Sequence, residues 1–159
     1  KHRVQLSGAT SLVKEYQVGP RFCNKRRLAK AIMERREIIC DSIAKSANPL
    51  SQGIKFGNLL FLSGQLGRNP DTGKLETGAY EQTRRVLSNL RELLKTEDLS
   101  MDDVLKTTIF IVDISKVAEM NRAYNEFFSA PFPARSCVEV STLGGGAEVE
   151  IELIAGKAM

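Results

Sequence analysis

Two neighbouring segments near the C-terminus concentrate the groups that could do chemistry. In the candidate strand Arg135–Ser141, Arg135, Cys137 and Glu139 alternate with Ser136, Val138 and Val140; in Glu148–Ala155, Glu148, Glu150 and Glu152 alternate with Val149, Ile151 and Leu153. A period of two puts three glutamates on one strand face, and a short Gly-rich loop predicts that the two strands form a hairpin with Arg135 alongside. Arginine presents a planar fork that matches a carboxylate or phosphate. A nearby glutamate can position or deprotonate a water. Partly desolvated beneath a partner subunit, such a pair can hydrolyse a small anionic substrate. The plainer reading is an ordinary wet sheet face.

Few other reaction types are open to this chain. Its single histidine is His2, so a Ser-His-Asp triad, a two-histidine ribonuclease site and a His-rich zinc site all lack their main component. Cys23, Cys40 and Cys137 have no CxxC spacing and leave an odd thiol, which argues against a zinc ribbon or a disulfide framework and for a reducing compartment. Gly144-Gly145-Gly146 lacks the spacing of a phosphate-binding loop. No cofactor or metal is expected. No apolar run approaches the ~18–20 residues of a membrane span.

The elements that must position these groups follow from periodicity. Glu37–Cys40, Ser51–Phe56, Leu59–Ser63 and Lys106–Val112 read as further strands, the third apolar enough to be central. Gly57-Asn58 predicts a tight turn, and Asn69-Pro70-Asp71-Thr72-Gly73 a turn with glycine in the left-handed position. Residues 79–95 form the clearest helix, with Tyr80, Thr83, Leu87, Leu90 and Leu94 on one stripe and Thr77 as N-cap. A second helix over 116–128 follows Ser115 and aligns Val117, Met120, Tyr124 and Phe127. The order β-β-β-α-β-α-β-β predicts an α+β layer: one sheet of about six strands with both helices on one face.

Charge divides the 159 residues unevenly. Residues 1–40 hold ten Lys+Arg against three acids, whereas the rest holds thirteen against sixteen. We divide the chain into a basic arm, 1–36, and a domain, 37–159. From Asn24 to Ile39, Leu28, Ile32 and Ile39 lie on one stripe ringed by basic residues, which predicts a short basic amphipathic helix. An Arg-rich, acid-poor, hydroxyl-bearing arm fits a mitochondrial or plastid transit peptide, with cytoplasmic residence the remaining alternative. We expect a presequence to have been removed upstream and residues 1–35 to lie on a partner, either RNA or a large assembly. A solvated tail is the bland alternative.

Phe132-Pro133-Ala134-Arg135-Ser136-Cys137-Val138-Glu139-Val140, followed by Glu148-Val149-Glu150-Ile151-Glu152, closely resembles the C-terminal signature of the reactive-intermediate deaminase family (RidA, formerly YjgF, also known as L-PSP endoribonuclease). The resemblance continues through Lys106-Thr107-Thr108-Ile109-Phe110, Asn121 with Tyr124 and Phe127-Phe128, Leu62-Ser63-Gly64-Gln65 and Asn69-Pro70-x-Thr72-Gly73, and covers about residues 37–157. It implies a chorismate-mutase-like fold in a homotrimer, or a heterotrimer with a related chain, with clefts between subunits. It also implies cofactor-independent hydrolysis of small 2-imino acids to 2-keto acids and ammonia. Carried over, Arg135 clamps the substrate carboxylate and Glu150 activates the attacking water. Asn121, Ser63 and the backbone around Gly64 and Cys137 line the pocket. Cys137 reads either as a reactive thiol or as a small buried hydrophobe.

Two departures stand out. Leu50 takes the pocket position where the family typically carries tyrosine, and the basic arm is not part of the usual domain. Three functions follow: an imine deaminase; a non-catalytic subunit of an organellar ribonucleoprotein or other large assembly, anchored by the arm; and, last, a ribonuclease, which a domain without histidine or metal ligands disfavours.

Overall fold

Alternation in the strands and a 3.6-residue stripe in the helices produce the expected order, β1 (Arg35–Ile38), β2 (Gly53–Phe56), β3 (Leu59–Leu66), α1 (Gly78–Lys95), β4 (Val104–Ile111), α2 (Val117–Tyr124), β5 (Ala134–Glu139) and β6 (Val149–Gly156). The structure, a computed structural model, describes residues 34–43 and 46–157. Among these, no helix is long and apolar enough to cross a membrane.

The six strands form one mixed sheet in the order β1-β2-β3-β6-β4-β5. β6 runs antiparallel to both β3 and β4, while β5 lies parallel to β4 at the edge. This corrects the expected hairpin: β5 and β6 are not paired. The physical reason lies in burial. Val149, Ile151, Leu153 and Ala155 of β6 are buried, a demand met only between two other strands, whereas most of β5 is exposed. The Gly-rich connection therefore passes over β4, two strand spacings or roughly 10 Å, which nine residues cover easily.

Both helices cover one face. In α1, Val86, Leu87, Leu90, Leu93 and Leu94 are fully buried against Leu60, Ile109, Ile151 and Leu153 of the sheet. Truncating one such leucine to alanine would cost about 2–5 kcal/mol. Tyr80, expected on this stripe, instead lies at the half-exposed margin, where the Arg122 guanidinium sits 3.9 Å over its ring. Thr77 occupies the N-cap position of α1 without a side-chain cap bond. The second helix is shorter than expected. A 3₁₀ turn, Ile114–Lys116, precedes it; Asp113 caps that turn, accepting from the Ser115 amide, and Lys116 at the N-cap position of the helix itself makes no side-chain cap bond.

The N-terminal edge also differs. Arg35–Ile38 is a strand paired with β2, so the predicted helix cannot extend to Ile39. Ile38 is buried on the sheet and Ile39 is 58% exposed, the reverse of what a helix stripe through Ile39 requires. The rest of that helix, and nearly all of the basic arm, lie outside the described residues.

Turn chemistry follows the sequence. Gly57 closes the β2–β3 hairpin at φ 63°, and Gly73 takes φ 69° where the Asn69 side chain accepts from the Asp71 and Thr72 amides.

Candidate active site

Register decides where each candidate side chain points. In β4, Thr107, Ile109 and Ile111 are buried beneath the helices, and Thr107 pairs with Arg135 of β5. Phe110 and Thr108 point the other way and pair with Glu150 and Glu152 of β6. Arg135 therefore projects on the helix-covered side at the sheet edge, and Glu150 on the bare side. In one chain the two groups do not converge. They belong to two separate clefts.

The Glu150 cleft has a volume of about 480 Å³. Leu50 and Gly64 line it with Glu150, and Leu50 is 49% exposed. A β-bulge at Ser63–Gly64 opens the β3–β6 ladder next to the carboxylate. Gly64 is required by contact: a Cβ there would stand 2.0 Å from the Glu150 Oε1. Of the three glutamates read from the sequence, Glu148 is taken by an ion pair with Lys116 at 2.6 Å. Glu152 is exposed, and Glu150 has no hydrogen-bond or ion-pair partner among the described residues. Burial pushes the Glu150 carboxyl above its ordinary value, and the like charge of Glu152 adds to this. A carboxylate so placed can take a proton from water nearer neutral pH.

Ser63 is turned to a supporting task. Its hydroxyl donates to the Ser51 carbonyl at 2.7 Å, and its amide donates to the Gln52 carbonyl at 3.1 Å. These bonds fasten the segment bearing Leu50 to β3. Gln52 is itself fixed: its side chain accepts from the Cys40 amide at 2.7 Å.

The second cleft, about 380 Å³, is lined by Asn121, Tyr124, Asn125, Phe132, Pro133 and Arg135. Arg135 donates to the Asn121 Oδ1 at 2.7 Å and lies 5.1 Å from the Tyr124 ring centroid. No carboxylate pairs with it among the described residues, which leaves the fork available to a ligand. Tyr124 is held in turn by a hydroxyl–hydroxyl bond to Thr107 at 2.9 Å. Its role as the backing plate of Arg135 was hidden in sequence by its place on an apolar helix stripe; the three-residue spacing Asn121–Tyr124, one turn of one face, was the available signal. Phe132, 56% exposed, lines the same cleft from the irregular Pro-rich segment before β5. Cys137 packs against the core, and burial raises its thiol while Arg135 opposes, which favours the packing reading over a thiolate.

Among the described residues no group of three or more His, Cys, Asp or Glu is arranged to hold a metal ion. What the two clefts offer is a guanidinium that can hold a carboxylate and a desolvated glutamate that can activate water.

Comparison with known proteins identifies the family. Residues 41–157 match the family described as Endoribonuclease L-PSP. The 2-iminobutanoate/2-iminopropanoate deaminase of Escherichia coli K12 is 37% identical over 123 residues, 76% of this chain and 96% of that protein. The chloroplastic Reactive Intermediate Deaminase A of Arabidopsis thaliana is 42% identical over 123 residues, 76% of this chain and 66% of that protein. Among solved structures, Escherichia coli TdcF with bound serine superposes with a TM-score of 0.74 at 33% identity, covering 77% of this chain and 99% of that one. With the family match and these relatives in agreement, the chain belongs to the RidA/L-PSP family.

Proposed function

We propose that this protein hydrolyses small 2-imino acids to 2-keto acids and ammonia, at sites completed by two copies of the chain in a trimer. The observation that carries the proposal is the division of labour across the sheet. A guanidinium with no carboxylate partner among the described residues occupies one cleft and a partly desolvated carboxylate the other, on opposite faces, which supports a site where a neighbouring copy brings them together. The bare face favours such an assembly: Phe56, Phe61 and Val138 are each more than 40% exposed on it.

In the assembled site, Arg135 of one copy, steadied by Asn121 and Tyr124, takes the substrate carboxylate in a two-pronged pair. Glu150 of the other removes a proton from a water as it adds to the imine carbon. The same carboxyl then delivers that proton to the nitrogen; as ammonia leaves, the hydroxyl gives its own proton back to the Glu150 carboxylate, the C–O bond becomes the ketone, and the released ammonia takes up that proton as ammonium. A protonated imine is already electrophilic, so positioning and charge stabilisation suffice. TdcF holds serine, a small α-carboxylate, which supports a ligand of this class. Leu50 in place of a tyrosine makes that wall apolar rather than hydrogen bonding.

The alternative of a non-catalytic assembly subunit draws no support from these relatives. We infer an organellar residence, mitochondrial in preference to plastid, to be checked by imaging a fluorescent fusion with and without residues 1–36.

The deciding assay supplies 2-iminobutanoate or 2-iminopropanoate generated in situ and follows ammonia release. We expect the wild type to exceed both buffer and Arg135→Ala; equality with either retires the enzyme.

A further inference from the structure

The Glu150 cleft contains a guanidinium of its own, that of Arg68, which the hydrolysis described above does not use. We propose that Arg68 binds a second anionic group on the substrate, so that the preferred substrates are dicarboxylic 2-imino acids, those derived from acidic amino acids. This inference rests on the deaminase reading and deepens it.

Arg68 is mounted rather than loose. Its backbone forms an isolated bridge with Leu75, and its carbonyl accepts from the side-chain amide of Asn89 at 3.0 Å, a residue only 6% exposed. Its Nη1 donates to the Gly73 carbonyl at 3.0 Å, which uses one of the five N–H donors. The guanidinium then lies against Gly145, where a Cβ would stand 2.1 Å from Nη2. A glycine with φ of 65° at that point leaves room for the cation to lie along the cleft wall.

No acid answers this charge among the described residues. A half-buried cation fixed by two glycine-dependent contacts and left without a counter-charge is arranged for an external anion.

Its position along the cleft sets the substrate's shape. Arg68 and Glu150 line the same cleft, and no hydrogen bond or ion pair joins them among the described residues. A substrate with its α-carboxylate on Arg135 of a neighbouring copy and its imine carbon at the water on Glu150 would extend its side chain towards Arg68. Ile43 and Leu50 provide apolar wall along the cleft for the intervening methylenes. A side chain ending in a methyl leaves Arg68 unpaired; one ending in a carboxylate gives it a two-pronged partner.

The test compares kcat/KM for 2-iminoglutarate and 2-iminobutanoate, each generated in situ, in wild type, Arg68→Met and Arg68→Lys. We expect wild type to favour the dicarboxylic substrate by roughly tenfold or more, Arg68→Met to erase that preference, and Arg68→Lys to keep part of it. An unchanged ratio in Arg68→Met, or a wild type that prefers 2-iminobutanoate, overturns the assignment. Calorimetry with 2-oxoglutarate and 2-oxobutanoate, on variants of unaltered Tm, gives a readout independent of turnover. If neither imine is hydrolysed, the deaminase reading fails, and calorimetry still decides the binding claim. Weaker 2-oxoglutarate binding by Arg68→Met upholds it, and equal affinities overturn it.

Discussion

Glu150 and Gly64 meet across the β3–β6 seam so closely that the carboxylate lies where a side chain at position 64 would begin, 2.0 Å from a Cβ. The obstruction is the movable end of the glutamate rather than backbone. Gly64→Ala should therefore displace the carboxylate without unfolding the protein. We expect kcat/KM for imine hydrolysis to fall roughly tenfold or more, with Tm within about 2 °C of wild type. A large loss of Tm, or unimpaired turnover, would contradict this.

The raised Glu150 carboxyl sets the acidic limb of the pH profile. The ionised form is the base, so kcat/KM declines as pH falls through its folded-state pKa, which lies above the ordinary 4.5. Burial is the larger cause and Glu152 the smaller. Glu152→Gln removes the like charge and should move the limb to lower pH, while Glu150→Gln should lower kcat/KM by about 100-fold or more and abolish the limb. Rate profiles of the three proteins between pH 4 and 9 check the signs.

Because Arg135 and Glu150 lie on opposite faces of one sheet, two inactive variants should complement each other. Mixing Arg135→Ala with Glu150→Gln, then unfolding and reassembling, leaves about a quarter of the inter-copy sites of a cyclic trimer with both wild-type groups. Activity near that fraction is the expected result. No recovery from reassembled mixed trimers would place both groups of each site in one chain.

Glu97, past the end of α1, ties down the N-terminal edge of the sheet through Arg36 at 2.6 Å and Lys55 at 2.8 Å, with its own side chain only 8% exposed. Burial opposes ionisation, but the two cationic donors outweigh it and hold the carboxyl below its ordinary value. A folded pKa below the unfolded one contributes stability that is present above the unfolded value and lost as pH falls through the folded one. Glu97→Gln should cost about 1–3 kcal/mol near pH 7, with a smaller difference from wild type in acid. Urea unfolding at pH 7 and pH 4 measures both.

Element order and the two helical stripes were legible because they are local: Leu87, Leu90 and Leu94 state a helix and its buried face within two turns. The pairing of β5 was not, since a Gly-rich connection beside two alternating segments fits a hairpin as well as a crossing over β4. What distinguishes them is the fourfold burial of β6, a property of the finished sheet. The helix predicted through Ile39 failed for a related reason, because the edge of β2 recruits Arg35–Ile38 and makes Ile38 the inward residue. In the candidate site, the residue types of Arg135 and Glu150 could be read directly, but not that the sheet separates them. Tyr124 is core, as its helix stripe reads, and backs Arg135 as well, a second role that only the folded edge of the sheet reveals.

The bulge at Ser63–Gly64 has an effect beyond making room for Glu150. Before it, even-numbered positions of β3 face inward, as Leu62 does opposite Leu153; after it Gln65 stands opposite Ile151 and Leu66 opposite Glu150. The strand thus changes phase midway, and everything downstream, including the turn that carries Arg68, inherits the inverted parity. Deleting a single residue there would restore uninterrupted alternation and rotate the outgoing segment by half a turn, removing the cleft wall at its source while leaving every other strand in place.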